Sequence, residues 1–240
     1  MTADTEASEP GYLRSYGRRR GKKLRPGRER LMEELLPRIS VQPGTPIREQ
    51  FGPDVRALWL EIGFGGGEHL AAQAQAHPDV GIVGCEPFLN GVAKLLRQID
   101  DADCENVRIR ADDARDIFPD FSEGSLERVF VLFPDPWPKT KHHKRRFIQT
   151  DILDEFARML SDGGELRIAS DHMGYIRWSL SKVLPHDDFE WVAEGPGDWR
   201  DPPRDWIRTR YEQKALAKGD ACVYLRFRRK SRGKPRGSGG

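Results

Sequence analysis

The sequence predicts an α/β fold in which helices cover both faces of a mostly parallel sheet. Apolar strand patterns alternate with helical patterns through most of the chain, without an internal repeat. Such alternation builds a parallel sheet because each crossover must return over the sheet. At 240 residues, the chain suits one domain with flexible ends.

Hydrophobic periodicity and turn residues place the elements in order. Strands are predicted at about 56–62, 80–85, 106–110, 127–133, 164–169, 188–193 and 220–228. Helices are predicted near 30–37, 67–76, 88–99, 144–160 and 172–184. The domain is expected to span residues 28–228, between disordered basic tails at 1–27 and 229–240 that have no apolar periodicity.

Composition excludes several classes of protein. A hydrophobic content of 37% and a charged fraction of 32% are typical of a soluble globular protein. Apolar runs fall short of the roughly 18 residues that a membrane span needs. The polar start lacks a secretory pattern, so the cytoplasm is the expected location. Cys85, Cys104 and Cys222 are widely spaced, which argues against a disulfide framework or a zinc cluster.

The net charge of +2 hides an asymmetry. Residues 12–30, 139–146 and 226–236 hold nine, five and seven Lys or Arg residues, against a single acid in all three segments. The remaining chain is therefore strongly acidic. This arrangement predicts a polyanionic partner that is met at particular places, although the terminal runs have solvated tails as an alternative.

The first strand leads into a glycine-rich loop at residues 63–67, where four of five residues are glycine. Glycines let the backbone turn tightly and approach a ligand at the start of the next helix. Gly63, Gly65 and Gly67 depart from the GxGxxG pattern of nicotinamide dinucleotide sites, and Glu61 lies just ahead of them. A carboxylate suits a cationic ligand better than a pyrophosphate, which favours S-adenosylmethionine. A purely structural turn is the alternative.

Acids also end the second and third strands. Glu86 lies at the spacing at which α/β nucleotide sites place a carboxylate on ribose hydroxyls, with a surface glutamate as the alternative. Asp113 or its neighbour Asp112 is a candidate acceptor for an adenine amino group. Capping of a following helix is the competing role for either aspartate.

The fourth strand stops at Pro134-Asp135-Pro136-Trp137, because the two prolines prevent its continuation. Open α/β sheets bind ligands at the carboxyl ends of their strands. Asp135 and Trp137 are therefore candidates to grip a nucleic-acid base, with Trp137 either stacking on it or packing at the rim of the sheet. Phosphate contacts are predicted for the basic run, namely Lys139, Lys141, Lys144, Arg145 and Arg146. His142 and His143 lack a metal-site frame, so no metal is expected.

Six segments together resemble one family. LEIGFGGGEHL, GCEPFLNGVAKLL, ADDARD, VFVLFPDPWPKTKHHKRR, IASDHMGYI and TRYEQKALAKG, in this order, closely resemble the bacterial tRNA (guanine-N7)-methyltransferase family over roughly residues 30–228. The resemblance implies a Rossmann-like S-adenosylmethionine-dependent methyltransferase fold, with seven strands of which the last is antiparallel. It also implies methylation of the variable-loop guanine at tRNA position 46, by a monomer or homodimer without a membrane partner.

The resemblance carries roles to matching positions. The implied donor site consists of Glu61, Gly63, Gly65, Glu86, Asp113 and Asp135, and Asp135 is also the implied catalytic residue. The implied tRNA contacts are Lys139, Asp171, Thr209, Arg210, Tyr211 and Glu212.

Local alternatives compete with the implied tRNA contacts. Asp171 is also placed to cap the helix that starts near Met173. Thr209 with Glu212 three residues later fits a capping box, although Glu212 is also a candidate acceptor for the Watson–Crick edge of guanine. The loop at 199–206 is a candidate wall of the guanine pocket. Two other functions stay open at this level: a methyltransferase for another nucleic-acid base, and a non-catalytic RNA-binding protein.

Overall fold

Seven strands form one sheet in the computed structural model, which describes residues 19–233. They are β1 (Ala57–Ile62), β2 (Val80–Cys85), β3 (Val107–Arg110), β4 (Leu126–Leu132), β5 (Leu160–Ser170), β6 (Phe189–Trp191) and β7 (Val223–Arg229). The spatial order is β3-β2-β1-β4-β5-β7-β6. Strands β1 to β5 pair in parallel, and β7 runs antiparallel to β5 and β6. The predicted mostly parallel sheet with an antiparallel last strand is confirmed.

Helices cover both faces of this sheet. They are α1 (Pro26–Glu34), α2 (Leu36–Ile39), α3 (Glu68–Ala76), α4 (Leu89–Asp101), α5 (Thr150–Met159), α6 (Met173–Val183), α7 (Gly197–Arg200) and α8 (Arg210–Ala217). Short 3-10 helices lie at Ile47–Gln50, Ala114–Asp120 and Thr140–Arg145. None of the helices within residues 19–233 has the length and apolar character to cross a membrane.

The two faces bury separate apolar cores, because successive side chains of a strand point to opposite sides. Leu58, Leu60 and Ile62 of β1 pack in the core that contains residues of α5 and α6. Trp59 packs in the other core, with residues of α3, α4 and α8. Strands buried on both faces read as nearly continuous apolar runs, which is why the sequence pattern located them well.

The order of the strands reverses direction at β1. Strand β1 pairs with β2 on one side and with β4 on the other, so the following helices return over opposite faces. A crevice opens at the carboxyl ends of the strands at such a switch point. The loops that follow β1, β2, β4 and β5 lie at these ends and carry Gly63, Glu86, Asp135 and Asp171 respectively.

Several predicted boundaries differ from the structure, and the largest difference lies at the start of α5. The helix predicted at 144–160 begins only at Thr150, because residues Thr140–Arg145 form a 3-10 helix instead. Strand β5 begins at Leu160, several residues earlier than expected, and follows α5 without a connecting loop. Helices α7 and α8 are additional to the predicted set.

The boundaries of the predicted tails also differ. The backbone N–H of Leu89 donates to the carbonyl of Arg19 at 2.9 Å, and that of Gly21 donates to the Asn90 side chain at 2.6 Å. The Asn90 amide in turn donates to the carbonyl of Lys22 at 2.7 Å. Residues 19–25 are therefore held against the domain, and the predicted disorder of 1–18 and 234–240 lies outside the described residues.

Candidate active site

The glycine-rich loop connects β1 to α3 with left-handed backbone at Gly63, Gly65 and Gly67, whose φ angles are +69°, +57° and +79°. Glycine adopts such angles without the steric penalty of other residues. A Cβ atom built on Gly63 would have no heavy atom within 4 Å. The loop therefore leaves open space beside its backbone at the carboxyl end of β1.

Glu86, at the end of β2, fixes this loop. Its carboxylate accepts hydrogen bonds from the backbone N–H of Gly65 at 2.7 Å and of Phe88 at 2.8 Å. Burial raises the pKa of Glu86, the two backbone donors lower it, and the charges of Asp135 and Glu61 raise it further. The structure thus brings three predicted acids close enough to influence one another.

Glu61 is buried in a chain of hydrogen bonds that the sequence did not reveal. The Nδ1 of His69 donates to its carboxylate at 2.7 Å, and the other ring nitrogen of His69 lies 3.2 Å from the amide nitrogen of Gln73. Gln73 also donates to the carbonyl of Asp205 at 3.1 Å. The sequence did contain a sign that His69 and Gln73 are neighbours, because they are four residues apart on one helix face.

The acids after β3 are paired within the protein. Asp113 caps the following 3-10 helix by accepting from the backbone N–H of Arg115, and it also forms two bonds of 2.8 Å and 2.5 Å with the Arg115 side chain. Asp112 accepts from the Arg19 side chain at 2.8 Å. The capping alternative for Asp113 is confirmed, whereas its contact with an adenine group stays a prediction.

Asp135 is exposed at the carboxyl end of β4, in a loop with unusual backbone geometry. Phe133 and Trp137, which flank the Pro-Asp-Pro sequence, have φ angles of +49° and +41°. Non-glycine residues in this region carry strain of about 1–3 kcal/mol each, and surrounding contacts must maintain it. The loop therefore depends on its neighbours for its shape, and the charge of Asp135 lies close enough to Glu86 to raise the pKa of that carboxyl.

Trp137 packs within the basic run. The Arg145 guanidinium lies 5.0 Å from the centroid of its ring, and His142 meets it edge-on at 5.8 Å. Lys139, Lys141 and Lys144 are exposed.

Arg146 corrects one prediction. Its side chain is only 4% exposed, and it donates to backbone carbonyls instead of facing solvent. Phosphate binding by Arg146 is therefore wrong for this arrangement, because a buried guanidinium that is already hydrogen-bonded cannot reach a phosphate.

Asp171, at the end of β5, is exposed and does not cap α6. His172 takes that role, since its Nδ1 accepts from the backbone N–H of Tyr175 at 3.1 Å. The capping alternative for Asp171 is wrong, and its carboxylate stays at the same edge of the sheet as Asp135.

The side chains of the segment Thr209–Glu212 have different contacts. Thr209 caps α8 by accepting from the backbone N–H of Glu212 at 3.1 Å. Glu212 is 0% exposed and accepts from the indole N–H of Trp206 and the hydroxyl of Tyr224, both at 2.7 Å. A guanine contact by Glu212 is not available in this arrangement, whereas Arg210 is exposed.

Tyr211 points toward the glycine-rich loop although its side chain is 54% exposed. A Cβ atom built on Gly65 would lie 2.8 Å from its Cε2 atom. Partial burial raises the pKa of Tyr211, and the negative charges of Glu86, Asp135 and Glu68 raise it further. Tyr211 therefore joins the predicted donor residues, a placement that the sequence could not show.

The preceding loop is anchored to the sheet. The Asp205 carboxylate accepts from Arg128 of β4 and from Arg167 of β5, each at 2.9 Å. Trp206 then binds Glu212 as described above. The loop at 199–206, predicted as a wall of the guanine pocket, is thus anchored to β4 and β5 through Asp205. Within residues 19–233, no cluster of three or more His, Cys, Asp or Glu side chains is arranged to hold a metal ion.

The basic run near the C-terminus lies at the other edge of the sheet. Arg228 pairs with Glu190 at 3.1 Å, and Arg229 pairs with Asp188 at 3.2 Å. Arg232 pairs with Asp162 at 2.6 Å and with Glu123 at 2.8 Å. These cations are used within the protein.

Comparison with known proteins identifies close relatives. A family model described as "Putative methyltransferase" matches residues 55–225. A tRNA (guanine-N(7)-)-methyltransferase of Rhodospirillum rubrum is 53% identical, with 91% of this chain and 89% of the relative covered. Enzymes of the same name from a Ruegeria species and from Zymomonas mobilis are 47% and 45% identical. These alignments cover 95% and 90% of this chain, and 92% and 94% of the relatives.

Two solved structures share the fold. A 16S rRNA methyltransferase, KamB, superposes with a TM-score of 0.54 at 14% identity, covering 76% of this chain and 92% of that protein. An rRNA methylase from Streptococcus thermophilus gives 0.51 at 13% identity, covering 73% and 88%. At these identities the likeness concerns the fold alone, and it confirms the predicted Rossmann-like methyltransferase architecture.

Proposed function

The chain belongs to the tRNA (guanine-N(7)-)-methyltransferase family, and we propose that it methylates N7 of the variable-loop guanine at position 46 of tRNA with S-adenosylmethionine as donor. The observation that carries the proposal is the meeting of the glycine-rich loop, Glu86 and exposed Asp135 at the switch point of the sheet. The same family supports tRNA as partner and, because the relatives are bacterial, the cytoplasm as location.

The residues present fit this donor. Open space beside Gly63 leaves room for a ligand next to the loop. A carboxylate can accept about four hydrogen bonds, and Glu86 accepts two from the backbone, which leaves capacity for ribose hydroxyls. Acids around the loop favour a cationic ligand, and S-adenosylmethionine, when bound, supplies an electrophilic methyl group. Glu61 acts indirectly in this proposal, because His69 occupies its carboxylate.

The reaction places modest demands on the protein. Guanine N7 carries an in-plane lone pair and no proton, so the N7–carbon bond forms as the carbon–sulfur bond breaks, without a base. Positive charge passes from sulfur to the purine, and alignment of the reacting atoms matters most. The carboxylate of Asp135 stabilises cationic groups at this edge, by holding the donor ammonium or the N–H groups of the guanine.

The tRNA side is proposed from exposed groups around the same edge. Lys139, Lys141 and Lys144 are placed to bind phosphates of the variable loop, and Asp171 and Arg210 flank the opening. Tyr211 lies against the glycine-rich loop, so we assign it to the donor rather than to tRNA. Thr209 and Glu212 act by fixing the start of α8.

The test uses labelled S-adenosylmethionine and two transcripts of one tRNA, with guanine or adenine at position 46. We expect label on the guanine transcript alone, at N7. Label on both transcripts would contradict the assignment of the base and favour a different nucleic-acid methyltransferase. Binding of both transcripts without label on either would favour the RNA-binding alternative.

A further inference from the structure

Arg146 links the loops that follow two neighbouring strands. Its Nε donates to the carbonyl of Pro136 at 2.9 Å, and one terminal nitrogen donates to the carbonyl of Gly174 at 3.1 Å. The other terminal nitrogen lies 3.4 Å from the carbonyl of Trp137. Two of these carbonyls belong to the Asp135 loop, residues 133–139, and the third belongs to the start of α6. One side chain therefore spans the ends of β4 and β5.

The surroundings of Arg146 suit a fixed internal cation. Its guanidinium carbon lies 5.3 Å from the ring centroid of Trp178 and 5.9 Å from that of Tyr175. The Trp178 indole is itself held by a 2.7 Å bond to the carbonyl of Ile148. Burial lowers the pKa of Arg146. Carbonyl oxygens and aromatic faces contact it in the described part of the chain, and its 4% exposure leaves little of the guanidinium accessible to a tRNA phosphate.

The position of these bonds coincides with the strained part of the loop. Phe133 and Trp137, with their positive φ angles, bracket Asp135, and Arg146 bonds the carbonyl just after Asp135 and the one after that. Backbone in sparsely populated conformations persists only where neighbouring contacts determine it. Without the guanidinium, the Asp135 loop would lose two of the hydrogen bonds that oppose its relaxation.

We propose that Arg146 is a positioning residue for methyl transfer: it fixes the direction of the Asp135 carboxylate and its separation from the loop that carries Asp171. The proposal rests on the proposed function. A planar guanidinium supplies several donors in fixed directions, which the single ammonium of a lysine cannot reproduce. Misplacement of a catalytic group by about 1 Å can cost a factor on the order of 100 in rate.

The test measures rate and tRNA affinity separately in Arg146→Lys and Arg146→Met. We expect the single-turnover rate at saturating donor and tRNA to fall by about 10- to 100-fold, while the Kd for tRNA stays within about threefold of wild type. The matched control is Arg56→Met, an exposed arginine just before β1 and away from the site, which should leave both the Kd and the saturated rate unchanged. Arg146 variants with weaker tRNA binding and an unchanged saturated rate would overturn the proposal.

A purely structural role is separated by counting intact sites. Rates are normalised to the number of sites that bind S-adenosylhomocysteine in calorimetry, so a variant that is partly unfolded cannot imitate a slow one. A rate loss that disappears after normalisation would overturn the proposal, as would full activity of Arg146→Lys. Wild type is assayed in parallel. Absence of methylation by wild type would refute the proposed function itself. Methylation by the Arg146 variants at the wild-type rate would instead refute only the role of Arg146.

Discussion

The basic run at 139–146 and the described part of the run at 226–236 have similar compositions but lie at opposite edges of the sheet, beside different neighbours. Lys139, Lys141 and Lys144 are exposed beside Asp135 at the carboxyl ends of the parallel strands. Arg228, Arg229 and Arg232 lie at the end of β7 and pair with acids. Because β7 is antiparallel to β5, its end lies at the amino ends of the parallel strands.

The difference teaches that a run of cations in a sequence does not by itself identify a binding surface. The edge of the sheet that the run reaches, and the acids already present there, decide whether its charge is available. Even within the internal run the cations differ in accessibility, since Arg146 is buried whereas Lys144 is exposed.

The largest expected difference between the two edges of the sheet is the change in methylation rate when one acid at each edge is replaced. Asp135→Asn removes the charge beside the reacting groups, so we expect the single-turnover rate to fall by about 100- to 1,000-fold with tRNA affinity largely intact. Asp162→Asn at the other edge is the control and should methylate like wild type. A rate for Asp135→Asn close to that of wild type would refute the role of this carboxylate.

The second contrast concerns tRNA affinity. Replacing Lys139, Lys141 and Lys144 together by methionine should raise the Kd for tRNA, and should reduce the slope of log K against log salt by about 2–3, because each phosphate contact contributes about 0.7–0.9. Filter binding at several salt concentrations measures both. Replacing Arg228 and Arg232 by glutamine is the control, and an equal loss of slope there would erase the distinction between the edges.

The third contrast concerns stability. Arg232 donates to backbone carbonyls at the end of α5 and the start of β5, in addition to its ion pairs. Arg232→Met removes these hydrogen bonds from a charged donor, so we expect the free energy of unfolding to fall by about 1–3 kcal/mol. Urea denaturation measures this. Lys144→Met should change stability by less than about 0.5 kcal/mol; equal losses in both variants would contradict the expectation.

The smallest effect concerns pH at the donor edge. Burial raises the pKa of Glu86, so the native state holds an extra proton between the unfolded and folded pKa values. The stability contribution of this group is therefore present at low pH and falls as pH rises through the folded pKa.

Ligand binding should show the opposite trend, because only the ionised carboxylate accepts from both the backbone and a ribose. We expect affinity for S-adenosylhomocysteine to weaken several-fold as pH falls through the raised pKa of Glu86. Calorimetry across this range measures the effect, with Glu86→Gln as the comparison. A variant with the same pH dependence as wild type would assign the titration to another group.

Much of the fold was predictable, because glycines and prolines mark where buried strands end. Strands β1 and β2 match their predicted limits to within one residue, and the Pro134-Asp135-Pro136 sequence follows β4 as expected. The helix start at Thr150 was missed, since Phe147 and Ile148 extend the apolar spacing of α5 toward the N-terminus although they lie before the helix.

The site was predictable where single residues end strands and not where distant residues meet. Glu86 and Asp135 reach the same edge because strand ends must, whereas the partners of Glu61 and Glu212 come from other elements. No local sequence pattern predicts that Tyr224 of β7 will bind Glu212 of α8. Tyr211 against Gly65 depends in the same way on how α8 crosses the sheet.

The bonds between Asn90 and the backbone of Gly21 and Lys22 fix where the chain enters the domain. Arg19, whose carbonyl accepts from Leu89 and whose side chain pairs with Asp112, therefore lies beside the loops that follow β2 and β3. One arginine of the basic segment 12–30 is thus brought to the carboxyl ends of the parallel strands, where Glu86 and Asp135 lie. The described cations that follow β7 lie instead at the amino ends of those strands, so the two ends of the described chain contribute positive charge to opposite edges of the sheet.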